Sequence, residues 1–163
     1  MTKQTKVILI VAIAGACCVG VILILILAAI AIPATQSVIR KGNEASAIAS
    51  LRTINTAEQQ YNFTYPERGY SCSLSALGGS AQNIAATADA AQLIQPDLAS
   101  GHKNGYSFAI LDCVKEKGTV TSYMLTAVPD VVGHSGAYGI CMNGNGEARI
   151  DPKGGADCTE ALQ

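Results

Sequence analysis

The sequence predicts an α+β protein in which one long N-terminal helix supports a small antiparallel sheet. Three observations lead to this fold class: an uncharged run from Val7 to Ile32, an amphipathic pattern from Ser37 to Tyr65, and short strand-like segments beyond Tyr106. We expect the apolar half of the helix to be transmembrane and the amphipathic half to pack on three or four strands. With 163 residues, the chain has room for one domain and an appendage.

The N-terminal run is long enough to cross a bilayer. Its 26 residues, "VILIVAIAGACCVGVILILILAAIAI", would form about 39 Å of helix, against a hydrocarbon core of about 30 Å. A cleaved secretory signal has a shorter apolar stretch, although "AIA" at 29–31 resembles a cleavage site and "IAGAC" resembles a lipoprotein box. We therefore predict a basic cytoplasmic leader at 1–6 and a transmembrane or filament-core helix at 7–34. The residues assigned to membrane insertion or assembly are Val7, Leu23, Leu25, Leu27, Ile30, Ile32 and Pro33.

The cysteines indicate an oxidising compartment. Cys17 and Cys18 lie inside the apolar run and are interpreted as small buried hydrophobic residues. Four more lie in the polar remainder, which suggests two disulfides, with three possible pairings. We favour Cys141–Cys158, which closes a short C-terminal loop, together with Cys72–Cys113. The localisation expected is single-pass, with a cytoplasmic N-terminus and an extracytoplasmic domain.

Beyond Pro33 the pattern is helical again over residues 35–65, the first part of a globular domain at 35–163. At about 100° per residue, one face collects Ala47, Leu51, Ile54 and Tyr61, which we expect to pack on the sheet. Glu58 lies within that apolar face. We interpret it as a carboxylate at the edge of a shallow interface or as a charge paired across a subunit contact.

The rest of the domain is predicted as a connection at 66–104, followed by a sheet and a C-terminal loop at 105–163. One or two helical turns are expected around Ala85–Leu93. The strand candidates are Tyr106–Val114, Ser122–Pro129, Tyr138–Met142 and Glu147–Ile150. "MNGNGEA" predicts a hairpin between the last two, because Asn-Gly pairs accept the positive φ angles of tight turns.

Charge and motif content favour a structural role. The net charge is −1 and only 14% of residues are charged, so no direct nucleic-acid partner is expected. No Ser-His-Asp set, carboxylate pair beside a histidine or phosphate-binding glycine loop is predicted, so we expect no enzyme and no cofactor. Asp151, Asp157 and Glu160 are weak calcium candidates, with a plain solvated loop as the alternative.

Two stretches resemble the type IV pilins and the pseudopilins of type II secretion: "AAIAIP" at 28–33 and "NEASAIASLRTINTAEQQY" at 43–61. "GYSFAI", "YMLTAVP" and "CMNGNGEARIDPKG" resemble the sheet and terminal loop of that family more loosely. The resemblance implies a pilin-like fold. It also implies an apolar half-helix that anchors the subunit in the inner membrane and then packs with its neighbours as the filament core.

The chain departs from this family at its processing site. With the register set by Ala28–Pro33, the cleavage glycine would fall at Val11 and the following glutamate at Ala16, so both are missing. The predicted function is a structural subunit of a type IV pilus or secretion pseudopilus, in motility, adhesion or secretion. The alternative is a non-polymerising, membrane-anchored envelope protein. The expected partners are inner-membrane lipid, identical or related pilin subunits, and the pilus or secretion assembly machinery.

Overall fold

Three helices and six strands make up the part of the chain described by the computed structural model, residues 3–79 and 85–162. At positions 3–14, 16, 18, 24 and 27–34 only the backbone is described. The chain divides into two units, Met1–Val38 and Ile39–Gln163, whereas the sequence predicts a boundary after residue 34.

The first helix, α1, extends from Lys3 to Thr64 without interruption at Gly42. A glycine inside a helix costs only about 1 kcal/mol relative to alanine, which the burial of several large apolar side chains outweighs. The helix ends just before Pro66, whose ring disfavours helical geometry at Tyr65. The turn that follows requires Gly69, because its φ is +76° and an added Cβ would overlap the carbonyl oxygen of Val120.

Six strands form one antiparallel sheet in simple chain order. They are β1 (His102–Lys103), β2 (Tyr106–Glu116), β3 (Thr119–Pro129), β4 (Gly139–Asn143), β5 (Ala148–Asp151) and β6 (Glu160–Ala161). The long β2–β3 hairpin changes register between Leu111 and Val114, where Asp112 has a φ of +49°. Such a bulge bends the strand and increases its twist.

The predicted fold class is wrong in two respects. The sheet has six strands rather than three or four, because β1 and β6 add two residues each to its edges. The transmembrane half-helix is also corrected: among the described residues, no helix is both long and apolar enough to cross a membrane. The described side chains of the apolar run lie between Gly15 and Ile26, a shorter stretch than the ~20 residues a span needs. Neither the pilin-like fold class nor the single-pass localisation is therefore retained.

Two short helices lie in the connection between α1 and the sheet. α2 (Leu74–Leu77) begins after Ser73, whose side chain accepts a hydrogen bond from the backbone N–H of Ala76. α3 (Pro96–Ala99) begins with a proline, which has no N–H to leave unpaired. The helical turns expected around Ala85–Leu93 are not found there. Thr87 and Ala90 instead form an isolated antiparallel bridge.

The core of the second unit lies between α1 and one face of the sheet. Ala47, Leu51, Ile54 and Tyr61 are between 0% and 2% exposed, and they share one hydrophobic cluster with sheet residues. The sheet contributes Tyr106, Phe108, Tyr123, Leu125, Ala127, Ile140 and Met142 to that cluster. The helical face predicted for sheet packing is thus buried in this core.

Both favoured disulfide pairings are confirmed. Cys72–Cys113 joins the segment after α1 to β2, with 41 residues of separation. Cys141–Cys158 joins β4 to the C-terminal loop, with a separation of 17 residues. Cys17, inside the apolar run, is exposed and not buried as expected. The side chain of Cys18, for which burial was also expected, lies outside the described residues.

Candidate assembly surface

The first unit carries an exposed apolar surface on α1. The side chains of Val19, Val21, Ile22, Leu23, Leu25 and Ile26, here called the apolar segment, are each between 51% and 63% exposed. Consecutive residues of a helix lie about 100° apart, so positions 21–23 alone point in three directions. The segment is therefore apolar around its whole circumference, which is typical of a helix that is covered on all sides.

Two of the residues assigned to assembly belong to this segment. Leu23 is 56% exposed and Leu25 is 63% exposed. Burying a leucine side chain that is now in water contributes roughly 1.5–3 kcal/mol, so an association that covers the segment would be strongly favourable. The side chains of the other five, Val7, Leu27, Ile30, Ile32 and Pro33, lie outside the described residues.

Glu58 has a role that neither interpretation of the sequence anticipates. Its side chain is fully buried, and its carboxylate accepts hydrogen bonds from the backbone N–H and the hydroxyl of Ser71, at 2.7 and 2.8 Å. Desolvation raises the pKa of Glu58, and the bonds from Ser71 oppose that shift without cancelling it. The carboxylate fastens α1 to the segment that carries Cys72, so it is bound within its own chain.

Glu44 is a second buried carboxylate, and sequence reasoning missed it. It is 8% exposed, and it accepts a hydrogen bond from the backbone N–H of Ala137 at 2.8 Å. Glu44 and Glu58 lie about 40° apart around the helix axis, so the periodicity that placed Glu58 on the buried face also places Glu44 there. Both acids of the amphipathic half of α1 are thus withdrawn from its surface.

The three calcium candidates line one depression at the C-terminal loop, but their side chains are not arranged as metal ligands. The carboxylate of Asp151 is buried and accepts backbone N–H bonds from Lys153, Gly155 and Asp157, at 2.9, 3.1 and 3.3 Å. Within residues 3–79 and 85–162, no group of three acidic, histidine or cysteine side chains has the arrangement of a metal site. Asp151 instead shapes the C-terminal loop, while Asp157 and Glu160 are exposed.

A serine, a histidine and an aspartate do meet at the β1 edge of the sheet, contrary to expectation. Ser107 pairs with His102 across β1 and β2, and the Ser107 hydroxyl donates to Asp130 Oδ1 at 2.7 Å. The same ring nitrogen, His102 Nδ1, lies 3.2 Å from the serine oxygen and 3.7 Å from Asp130. A catalytic triad needs the serine and the carboxylate on opposite ring nitrogens, so this trio does not have the geometry of an activated nucleophile.

The outer side of α1, away from the core, exposes basic side chains. Lys41 and Arg52 are exposed there, about 20° apart around the axis and about 16 Å apart along it. Neither has an ion-pair partner among the described residues. Phe63, on the same side, is 88% exposed.

Two features of the described residues are available for contact with other molecules. The first unit exposes a fully apolar helical segment, and the second unit is a disulfide-linked domain with buried acids and an exposed basic side on α1. No protein-family model, curated protein or solved structure matches this chain.

Proposed function

We propose that this chain is a structural subunit of a filament of the type IV pilus or secretion pseudopilus kind. Copies assemble through the apolar segment of α1. The exposure of that segment carries the proposal, since six large apolar side chains, from Val19 to Ile26, lie in water in the isolated chain.

The resemblance of positions 28–33 and 43–61 to pilins and pseudopilins supports the filament as the product of assembly. This part of the proposal stands on residue patterns and not on a pilin fold. A structural role also agrees with the orientation of His102, whose Nδ1 faces both Ser107 and Asp130. The second unit has its own core and two disulfides, so we expect it to fold without assembly.

The test is the sedimentation of the purified full-length chain as a function of concentration, with electron microscopy of the pelleted material. The variant Leu23→Glu/Leu25→Glu places two carboxylates in the apolar segment. Because each carboxylate must be desolvated or protonated to enter an apolar contact, we expect the concentration needed for assembly to rise about a hundredfold.

Ser122→Glu is the matched control, since it adds a carboxylate at an exposed position of β3. This control should assemble like the wild type. Two results would overturn the proposal. The first is a wild-type chain that stays monomeric at all concentrations, even if it binds lipid vesicles in a flotation experiment. The second is a Leu23→Glu/Leu25→Glu variant that assembles like the wild type.

A further inference from the structure

The outer side of α1 in the second unit has exposed positive charge and no exposed negative charge. From Ile39 to Thr64, its cations are Arg40, Lys41 and Arg52, and its acids are Glu44 and Glu58. Both acids are buried and bonded to backbone N–H groups. Arg40 donates to the carbonyl of Gly133 at 3.3 Å. Lys41 and Arg52 remain, here called the basic stripe.

The C-terminal loop has the opposite charge. Asp157 and Glu160 are exposed and line one shallow depression with the buried Asp151. One cation, Lys153, lines the same depression. Asp157 and Glu160 are here called the acidic pair.

The backbone that carries the acidic pair is tied to the sheet by several contacts. Cys158 lies between its two members and is bonded to Cys141 on β4. The backbone N–H of Asp157 donates to Asp151 at 3.3 Å. The loop approaches β4 so closely that a Cβ at Gly139 would overlap the carbonyl oxygen of Gly155. A loop ordered in advance loses little conformational freedom when it binds.

The basic stripe and the acidic pair lie on opposite sides of the second unit. Ile140 and Met142 of β4 belong to the core shared with α1. Side chains alternate between the two faces of a strand, so Cys141 points to the other face, where its disulfide holds the C-terminal loop. The two charged surfaces of one chain are therefore on different sides of the sheet.

We propose that the basic stripe of one copy binds the acidic pair of the next copy, in a head-to-tail contact. Two complementary surfaces on opposite sides make a heterologous contact, which repeats from copy to copy and generates an open fibre when the rotation between copies does not close a ring. The net charge of −1 lets copies approach with little overall repulsion. This inference rests on the proposed function and names the contact between second units that accompanies association of the apolar segments.

Reversal of charge tests the contact, again by sedimentation of the full-length chain. Lys41→Glu/Arg52→Glu makes both surfaces acidic, and Asp157→Lys/Glu160→Lys makes both basic. Each variant loses two ion pairs and gains repulsion, so we expect its assembly concentration to rise about tenfold. An equimolar mixture of the two variants should assemble like the wild type, as should one chain that carries all four substitutions.

Charge changes elsewhere on the domain provide the control. Glu116→Lys and Lys117→Glu, at the exposed tip of the β2–β3 hairpin, should leave assembly unchanged. The contact is disproved if the wild type assembles but the reversals have no effect, or if the mixture does not recover. A wild type that never assembles disproves the proposed function instead. Far-UV circular dichroism and urea unfolding check that each variant is folded.

Discussion

Two parts of the same helix differ in how far their large apolar side chains are exposed. In the second unit, Leu51 and Ile54 of α1 are 0% exposed, whereas in the first unit Leu23 is 56% and Leu25 is 63% exposed. The side chains are chemically alike, so the difference lies in what surrounds them. The second unit supplies its own sheet as a cover, whereas under the proposed function other copies of the chain cover the apolar segment of the first unit.

Because of this difference, we expect one part of α1 to contribute to the stability of the domain and the other to assembly. The apolar residues of the second unit contribute to folding, because they leave water when the domain forms. Those of the apolar segment leave water only when another molecule covers them. Substitutions in the two parts of α1 should therefore affect different measurements, which the following predictions test in order of decreasing effect.

The largest effect is expected from matched leucine truncations. Leu51→Ala removes a fully buried side chain, and such a change costs about 2–5 kcal/mol through lost burial and a residual cavity. Leu23→Ala removes a side chain that is 56% exposed, and surface changes usually stay within about 0.5 kcal/mol. Urea unfolding of the second unit, followed by fluorescence at a concentration below that of assembly, measures both values.

The same two variants should reverse their order in the assembly measurement. Leu23→Ala is expected to weaken sedimentation, and Leu51→Ala is not, provided that the domain remains folded. Equal losses of unfolding free energy in the two variants would show that the apolar segment is covered within its own chain, which contradicts the comparison.

Periodicity explains how much of the second unit the sequence predicts. One helical face repeated over four turns is a strong signal, and Ala47, Leu51, Ile54 and Tyr61 are all buried. The four longer strands were likewise predicted within a few residues, because the turn sequences "KEKGT" and "MNGNGEA" separate them in pairs. Four cysteines allow three pairings, and the short C-terminal loop that Cys141–Cys158 closes favoured the one that is observed.

The missed features are those with too few residues to form a pattern. β1 and β6 contain two residues each, so no alternation identifies them. α2 and α3 are four residues long, and only their first residues, Ser73 before α2 and Pro96 in α3, signal them. The Ser107–His102–Asp130 trio depends on the pairing register, which the sequence alone does not supply.

The pH dependence of stability should also distinguish the two parts of α1, because Glu58 lies in the second unit and the apolar segment contains no acid or base. Burial raises the pKa of Glu58 in the folded domain above its ordinary value of 4.5. The folded state therefore binds this proton more tightly than the unfolded state does. The contribution of Glu58 to stability is fully present below pH 4.5 and is lost as the pH rises through the folded pKa.

The measurement is the urea midpoint of the domain between pH 4 and pH 8, for the wild type and for Glu58→Gln. The amide cannot ionise, so this part of the pH dependence should disappear. At low pH the variant should be less stable by about 1–3 kcal/mol, because the buried amide N–H groups replace an acceptor of the Ser71 bonds. Glu67→Gln changes an exposed acid and should keep the wild-type profile. An unaltered profile in Glu58→Gln would place the pH dependence elsewhere.

The smallest effect is expected from one hydroxyl that links α1 to the sheet. Tyr123 on β3 is 4% exposed, and its hydroxyl donates to Asn55 Oδ1 at 2.6 Å. Tyr123→Phe keeps the edge-on ring contact with Tyr70, whose centroid is 4.7 Å away, and removes only the hydrogen bond. We expect a loss of about 1 kcal/mol in the free energy of unfolding and no change in assembly.

Tyr70→Phe is the matched control, since the Tyr70 hydroxyl lies 3.4 Å from Gln59 and is exposed. This variant should lose much less unfolding free energy. If the two variants are equally stable, the Tyr123–Asn55 bond does not help to hold α1 on the sheet.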